Sequence, residues 1–277
     1  MVAHKLAVFG NPIAHSRSPE IHEALARQTG IELGYERILV PAGEFNTASL
    51  KFLEAGGLGF NVTLPCKEDA YEFVDQYSDS ANRCKAVNTI SVGNDGQTHG
   101  DNTDGPGLVC DLISNLGWKI EGQSILVLGA GGAVRGVLWD LLKASPESVH
   151  LHNRTSTKAE AIVVNLNDER LAAVGPGELG SNYDLVINGT SAGLKGHVLD
   201  LPPRIIGSDT CCYDMIYGPS ITSFNAWSRD IANCEVADGL GMLVEQAALS
   251  FQIWFSELAD PGLIDTTRII SSLRKNI

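Results

Sequence analysis

The chain has 277 residues, 44% of them apolar and 19% charged, with a formal net charge of −13. That balance suits a folded globule of one large or two medium domains, and an acidic excess with no offsetting basic run excludes nucleic acid as the main partner. No stretch approaches 18 uninterrupted apolar residues, and residues 6–9 are too short for a signal peptide, so no membrane span or leader is expected. The six cysteines (66, 84, 110, 211, 212 and 234) form no C-x-x-C pair and read as reduced thiols of a cytoplasmic protein.

In chain order, residues 5–10 read as a strand broken by Asn11-Pro12. Ser18-Pro19 then marks a helix start, with Ser18 as N-cap and proline at the first helical position. Ser18 either caps only, or Ser16 and Ser18 present hydroxyls beside a helix N-terminus, a setting suited to a carboxylate. Glu20 suits the helix dipole but would repel such an anion. Residues 35–40 form a second predicted strand, and 45–55 a helix ended by Gly56-Gly57. The strand predicted over 59–65 places Asn61 and Thr63 on one face. Lys67 opens a helix expected to run to residue 77, and is either solvated or an acid/base group beside those polar side chains. A strand over 86–92 and the turn Asn94-Asp95-Gly96 read as a hairpin. The polar cluster from His99 to Gly105 follows, with Asp104 a candidate N-cap for a helix over 107–116. Alternating strands and helices predict an α/β fold.

The run Ile125-Leu126-Val127-Leu128-Gly129-Ala130-Gly131-Gly132-Ala133 reads as buried strand, tight turn and helix, the arrangement that aims helix N–H groups at a phosphate. In the G-x-G-x-x-G pattern only Gly129 and Gly131 fit, since the third glycine would fall at Val134. A second strand is predicted over 148–155, at the distance where the ribose-binding residue belongs. No acid stands there to meet a ribose hydroxyl. Arg154, with Lys158 four residues on, suits a 2′-phosphate and favours NADP, the alternative being ordinary exposed charges. His150 and His152 share a strand face without a third ligand nearby and read as surface or cofactor-edge residues; no metal is expected. Further strands are predicted over 184–188, carrying Gly189-Thr190-Ser191, and over 210–216, followed by Tyr217. Gly239 leads into a helix over 243–258 that carries Gln246. In an open α/β sheet these strand-end loops line one crevice.

Taken together, the motifs resemble the shikimate dehydrogenase family along nearly the whole chain. They are Asn11-Pro12-Ile13-Ala14-His15-Ser16-Arg17-Ser18-Pro19, Asn61-Val62-Thr63-Leu64-Pro65-Cys66-Lys67, Ala86-Val87-Asn88-Thr89 and Gly100-Asp101-Asn102-Thr103-Asp104-Gly105. The glycine turn, Asn153-Arg154-Thr155 and Asp238-Gly239-Leu240-Gly241-Met242-Leu243-Val244-Glu245-Gln246-Ala247 complete them. The resemblance implies reversible NADPH-linked reduction of 3-dehydroshikimate to shikimate, on the route to aromatic amino acids. It also implies a substrate domain of residues 1–103 and 240–277 and a Rossmann-type domain of residues 104–239. Ser16 and Ser18 would hold the substrate carboxylate. Asn61, Thr63, Asn88, Tyr217 and Gln246 would contact ring hydroxyls or orient the catalytic pair, Lys67 and Asp104. Gly129, Ala130, Gly131, Gly132 and Ala133 would meet the pyrophosphate. Asn153, Arg154, Thr155 and Lys158 would grip the 2′-phosphate, and Thr190, Met215 and Gly239 would border the cofactor. The alternative is a quinate/shikimate dehydrogenase with relaxed substrate or cofactor use, and the expected assembly is a monomer or homodimer. Three positions depart from the family pattern: Lys85 replaces a usual glycine and would add a charge close to the site, while Cys66 and Pro106 remove no chemical group.

Overall fold

The computed structural model describes residues 4–190, 192 and 200–276. Its first part runs β1 (His4–Gly10), α1 (Ser18–Thr29), β2 (Leu33–Leu39), α2 (Phe45–Glu54), β3 (Gly57–Val62), α3 (Lys67–Phe73), β4 (Gln76–Tyr77), α4 (Asp79–Cys84), β5 (Thr89–Val92) and β6 (Thr98–Asp101). These strands form one sheet in the order β2-β1-β3-β5-β6-β4. β1 pairs parallel with β2 and β3, β5 and β6 form an antiparallel hairpin beside β3, and β4 pairs parallel with β6. Side chains of β1 leave alternately on two faces, as strand geometry requires. Leu6 packs with Ile21 and Leu25 of α1, whereas Ala7 and Phe9 pack with Phe45 and Phe52 of α2 and Phe60 of β3.

From β6 the chain passes into α5 (Asp104–Cys110), which continues as a π-helical turn, Asp111–Asn115. A second sheet follows, built from β7 (Ser124–Leu128), α6 (Gly132–Lys143), β8 (Ser148–His152), α7 (Ser156–Leu166), β9 (Leu171–Ala173), β10 (Leu185–Asn188), β11 (Cys211–Asp214), α8 (Ser223–Ala232) and β12 (Glu235–Asp238). All its pairings are parallel, in the order β9-β8-β7-β10-β11-β12. This is the doubly wound order of dinucleotide-binding sheets, whose crevice opens at the ends of the neighbouring strands β7 and β10, where the strand order reverses. Ile125, Leu126, Val127 and Leu128 of β7 are all essentially buried, because helices cover both sheet faces. The chain then returns through α9 (Leu240–Trp254) and α10 (Thr266–Lys275). Phe251 and Trp254 of α9 pack on the first sheet's core, while Met242 near its start joins the core of the second. One helix therefore belongs to both halves.

The α/β reading and the main strands' succession along the chain agree with the sequence expectations, and local boundaries differ. α3 ends at Phe73, and Gln76 and Tyr77 pair with β6 instead of extending the helix. α5 begins at Asp104, earlier than its apolar pattern suggests. The short β4, β9 and β12 and the amphipathic α8 carry too few patterned residues to stand out before their partners are known.

Close packing of α5 on α9 relies on Gly107, where an added Cβ would lie 2.8 Å from both the backbone nitrogen and the Cβ of Gln246. Gly107→Ala is expected to lower the unfolding free energy by about 1–3 kcal/mol through overpacking. A denaturant midpoint that drops at unchanged m would bear this out, and a wild-type midpoint would show that the two helices part freely.

Candidate active site

The loop before α1 brings two hydroxyls together. Ser18 is the first residue of the helix rather than its cap; the preceding Arg17 makes no side-chain cap bond. Ser16 Oγ instead donates to Ser18 Oγ at 3.1 Å and accepts from the Ser18 N–H at 3.3 Å. Arg37 on β2 holds the loop from outside, donating from Nε and Nη2 to the Ser16 carbonyl at 2.8 and 2.6 Å. Glu20 pairs with Arg17 and lies 3.6 Å from Arg37. Two guanidiniums thus offset the one carboxylate that would oppose an anion at the serines.

Lys67 opens α3 and Asp104 opens α5, and their side chains form an ion pair with only 11% and 8% exposure. Asp104 does not cap its helix. Its free oxygen, Oδ1, accepts from Asn88 Nδ2 at 2.9 Å. Such satisfaction is needed, because a buried ion pair repays its desolvation only when the remaining lone pairs are bonded. Gly136 on α6 permits a close approach from the second sheet: a Cβ there would lie 3.2 Å from Asp104 Oδ2. Asn88 is itself fixed, its Oδ1 accepting from the Thr103 N–H and from Thr89 Oγ1, both at 2.9 Å. Its Nδ2 also lies 3.3 Å from Gln246 Oε1.

Asn61 faces the same space, but its amide is committed to the protein. Oδ1 accepts from Tyr35 Oη at 2.7 Å and from His22 Nε2 at 3.1 Å, and Nδ2 donates to the Asn88 carbonyl at 3.1 Å. Of the two roles expected for Asn61, this geometry suits the orienting one. His22 is fully buried and stacked on Tyr35 at 4.4 Å between ring centroids. Burial lowers its pKa to about 3, against a smaller opposing effect of the Asn61 bond, so the ring stays neutral. Burial also raises the phenol of Tyr217, which remains a protonated hydroxyl.

One cavity of about 310 Å³ gathers these groups. Ser16, Ser18, Asn61, Thr63, Lys67, Asn88, Asp104, Tyr217 and Gln246 line it together with Met215 and Gly239. Its remaining wall includes Ile13, His15, Met242 and Leu243, which sequence reasoning passed over because each looks like ordinary strand-end or helix filler. The supporting layer of His22, Tyr35, Thr89 and Ser250 was missed as well. For Ser250 a signal existed, since it lies one turn beyond Gln246 on the same helix face. Lys85 does not line the cavity, contrary to expectation. It sits in the left-handed region at φ +51° after α4, where glycine is at ease, and its Nζ donates outward to Tyr71 Oη and Asn82 Oδ1 at 2.9 and 3.0 Å.

Beside this cavity the second sheet presents its glycine turn. Gly129 has φ +109°, and a Cβ there would lie 3.2 Å from the Gly189 carbonyl, so β7 and β10 end in close contact at the switch point. Gly131 precedes α6 without a side-chain cap, no acid stands in the first turn, and Gly131 and Gly132 face open space. With Ala130 and Ala133 between and after them, they leave helix N–H groups open to an anion. Thr190 donates its hydroxyl to Asn188 Oδ1 at 2.8 Å beside this turn, and Ser191 lies outside the described residues. A Cβ at Gly239 would overlap the Met215 backbone.

β8 stops at His152, so Asn153, Arg154 and Thr155 form the turn into α7 instead of a strand end. Asn153 Nδ2 donates to the Thr155 carbonyl at 2.8 Å. Arg154 and Lys158 are exposed and make no ion pair among the described residues. That donor set fits a pyrophosphate at α6 and a further phosphate at Arg154. His150 and His152 are tied through Nδ1 to Tyr183 Oη at 2.7 Å and to the Val174 carbonyl at 2.9 Å, which makes them part of the sheet's own bonding.

A doubly wound dinucleotide sheet, joined to a polar cavity holding a buried lysine–aspartate pair, defines a two-domain dinucleotide-linked oxidoreductase. Family descriptions agree in detail: "shikimate dehydrogenase substrate binding domain" matches residues 8–90, "shikimate / quinate 5-dehydrogenase" residues 112–195, and "shikimate 5'-dehydrogenase C-terminal domain" residues 239–264. The chain belongs to the shikimate dehydrogenase family. It is 50% identical over 251 residues to the shikimate dehydrogenase (NADP(+)) of Alkalilimnicola ehrlichii, covering 90% of this chain and 93% of that one. Among solved structures, an Ael1 enzyme from Pseudomonas putida superposes with a TM-score of 0.90 at 36% identity, over 98% of both chains. The shikimate 5-dehydrogenase of Thermus thermophilus in complex with NADP(H) and shikimate superposes with a TM-score of 0.83 at 33% identity, over 96% of this chain and 99% of that one.

The neutral His22 has a consequence for stability. Its folded pKa of about 3 lies below the ordinary 6.5, so between those values the unfolded chain binds more protons. Its contribution is therefore complete above pH 6.5 and is lost as pH falls toward 3, about 2 kcal/mol of it between pH 7 and pH 5. His22→Gln removes the titrating ring and with it that part of the pH dependence. Denaturation curves of both proteins at pH 7 and pH 5 check this; equal losses of unfolding free energy between the two pH values would show that His22 is not held neutral.

Proposed function

We propose that this chain catalyses the reversible NADPH-linked reduction of 3-dehydroshikimate to shikimate, on the route to aromatic amino acids. The observation that carries the reading is the cavity in which the Lys67–Asp104 pair, the Ser16–Ser18 hydroxyls and the Asn88 and Gln246 amides face one another. A polyhydroxylated ring carboxylate matches that set of groups. Ser16 and Ser18 bind its carboxylate by hydrogen bonds to a charged acceptor. Thr63, Tyr217 and Gln246 meet ring oxygens, while Asn61 and Asn88 orient the groups around them. Lys67 stands at the reacting oxygen, stabilises the negative charge that develops there and delivers a proton to it; in the oxidative direction it accepts that proton back. Asp104 orients the ammonium. Bound NADPH supplies the hydride to the substrate's ketone carbon.

For the cofactor, the first turn of α6 with Gly129, Ala130, Gly131, Gly132 and Ala133 receives the pyrophosphate. Arg154 and Lys158, with Asn153 and Thr155, receive the 2′-phosphate, and Thr190, Met215 and Gly239 border the nicotinamide end. We assign residues 1–103 and 240–277 to the substrate domain and 104–239 to the cofactor domain, in keeping with the membership of the two sheets. The assembly proposed is a monomer or homodimer. The six free cysteines suit a reducing, cytoplasmic setting.

The direct test is NADP⁺ reduction with shikimate and with quinate, side by side. Turnover of shikimate is expected; turnover of quinate alone would redirect the substrate assignment. Lys67→Ala should lower kcat by at least ~10²-fold with a smaller change in KM, and near-normal kcat would remove Lys67 from the mechanism.

Cofactor choice is tested separately at Arg154. Losing one charge-assisted contact to a phosphate costs roughly 10- to 100-fold in affinity, so Arg154→Ala should raise KM for NADP⁺ by that factor and leave KM for NAD⁺ nearly unmoved. Equal losses with both cofactors would show that Arg154 serves the fold instead.

A further inference from the structure

Behind the cavity wall, polar side chains from several elements converge on Ser250. It lies on α9 one turn past Gln246, is fully buried and does not itself line the cavity. Its Oγ stands 2.7 Å from Thr89 Oγ1 on β5, 3.0 Å from Asn61 Nδ2 on β3 and 3.2 Å from Thr103 Oγ1 just before α5. A serine inside a helix often bonds only to its own preceding turn, and Ser250 does reach the Gln246 carbonyl at 2.9 Å. The contacts to three other segments go beyond that local bond.

Counting hydrogens shows how closely these groups depend on one another. Each hydroxyl has one proton to donate. The Ser250 proton has two acceptors within reach, the Gln246 carbonyl and Thr89 Oγ1, and the Thr89 proton likewise has two, Asn88 Oδ1 at 2.9 Å and Ser250 Oγ. The Thr103 N–H reaches the same Asn88 oxygen at 2.9 Å. With its carbonyl held by donors, Asn88 turns its amino group to Asp104 Oδ1, the oxygen that Lys67 leaves free. The hydrogen-bonded chain from Ser250 through Thr89 to Asn88 ends at the ion pair. Gln246, one turn away on α9, shares Asn88 from the other side at 3.3 Å.

We propose that Ser250 is a positioning residue for the reaction, a proposal that rests on the dehydrogenase reading above. It keys α9 to β3, β5 and the start of α5, so that Asn88 presents its amino group to Asp104 and Gln246 keeps its place over the substrate. Its hydroxyl acts through Thr89 and Asn88 and touches neither substrate nor cofactor. Because the cofactor crevice lies on the second sheet, Ser250 governs the substrate half of the reaction alone.

The test is a double-mutant cycle in the full-length enzyme with Ser250→Ala, Thr89→Val and the pair combined. Each single variant should lower kcat/KM for shikimate at saturating NADP⁺ about tenfold, the scale of a small misplacement of reacting groups. NADP⁺ dissociation constant and site number, titrated by fluorescence, should match wild type; lost sites would mean misfolding and overturn the proposal. The double variant should fall little below the worse single one, because both remove links of one chain. Ser250→Ala within twofold of wild type, or losses that multiply in the double variant, would also overturn it. Failure of the wild type to oxidise shikimate would overturn the dehydrogenase reading itself, whereas normal wild-type turnover with an inert Ser250→Ala would overturn only the positioning role.

Discussion

Burying an ammonium beside a carboxylate is the constraint on which the rest of this molecule depends. Lys67 and Asp104 lose most of their water, and their mutual attraction alone does not offset that loss unless the leftover hydrogen-bonding capacity is used. The surrounding architecture follows from this requirement. Asn88 satisfies the second carboxylate oxygen, Thr89 on β5 and Thr103 just before α5 hold Asn88, and Gly136 clears the space through which α6 closes over the carboxylate. Substitutions around the site are therefore not independent of one another, since most of them touch the same few bonds.

A related constraint acts where the chain crosses between its sheets. The outward crossing runs through α5 and its π-helical turn, and the return runs from β12 into α9. Asp111 in the π-helical turn accepts from Tyr213 Oη of the second sheet at 2.6 Å and lies against Gly241 at the start of α9, where any side chain would overlap its carboxylate. Burial raises the Asp111 pKa, while the bonds from Tyr213 and Asn115 oppose that rise. Both crossings are held at one place, and the cavity opens beside it. Met215, Tyr217 and Gly239 from the end of the second sheet can then complete a wall begun by the first.

Much of the site was legible because its chemistry comes in contiguous strings. Ser16 with Ser18, Asn61 with Thr63 and Lys67, and Asn102-Thr103-Asp104 each lie within a few residues, and spacing alone places them at strand ends and helix starts. The charge balance at the serines was not legible: Glu20 looked hostile to an anion until Arg37, from a different strand, was seen to counter it. Lys85 misled in the opposite direction, since nearness in sequence to Asn88 suggested nearness to the cavity. A left-handed backbone at that residue sends the side chain outward.

The sequence by itself determined the α/β class, the dinucleotide turn, the lack of an acid after β8 and the short strings of polar residues that supply the cavity. Each of these is encoded by local periodicity, by glycine placement or by residues a few positions apart. Tertiary structure alone decided that Ser16, Lys67, Asp104 and Gln246 share one cavity, that Asn61 turns its amide inward, and that Thr89 and Ser250 stand 2.7 Å apart across 161 residues of chain. The physical reason is one of range. Strand and helix patterns are set by neighbours along the chain, whereas the orientation of a buried amide or hydroxyl is set by whichever donors and acceptors folding brings within about 3 Å of it.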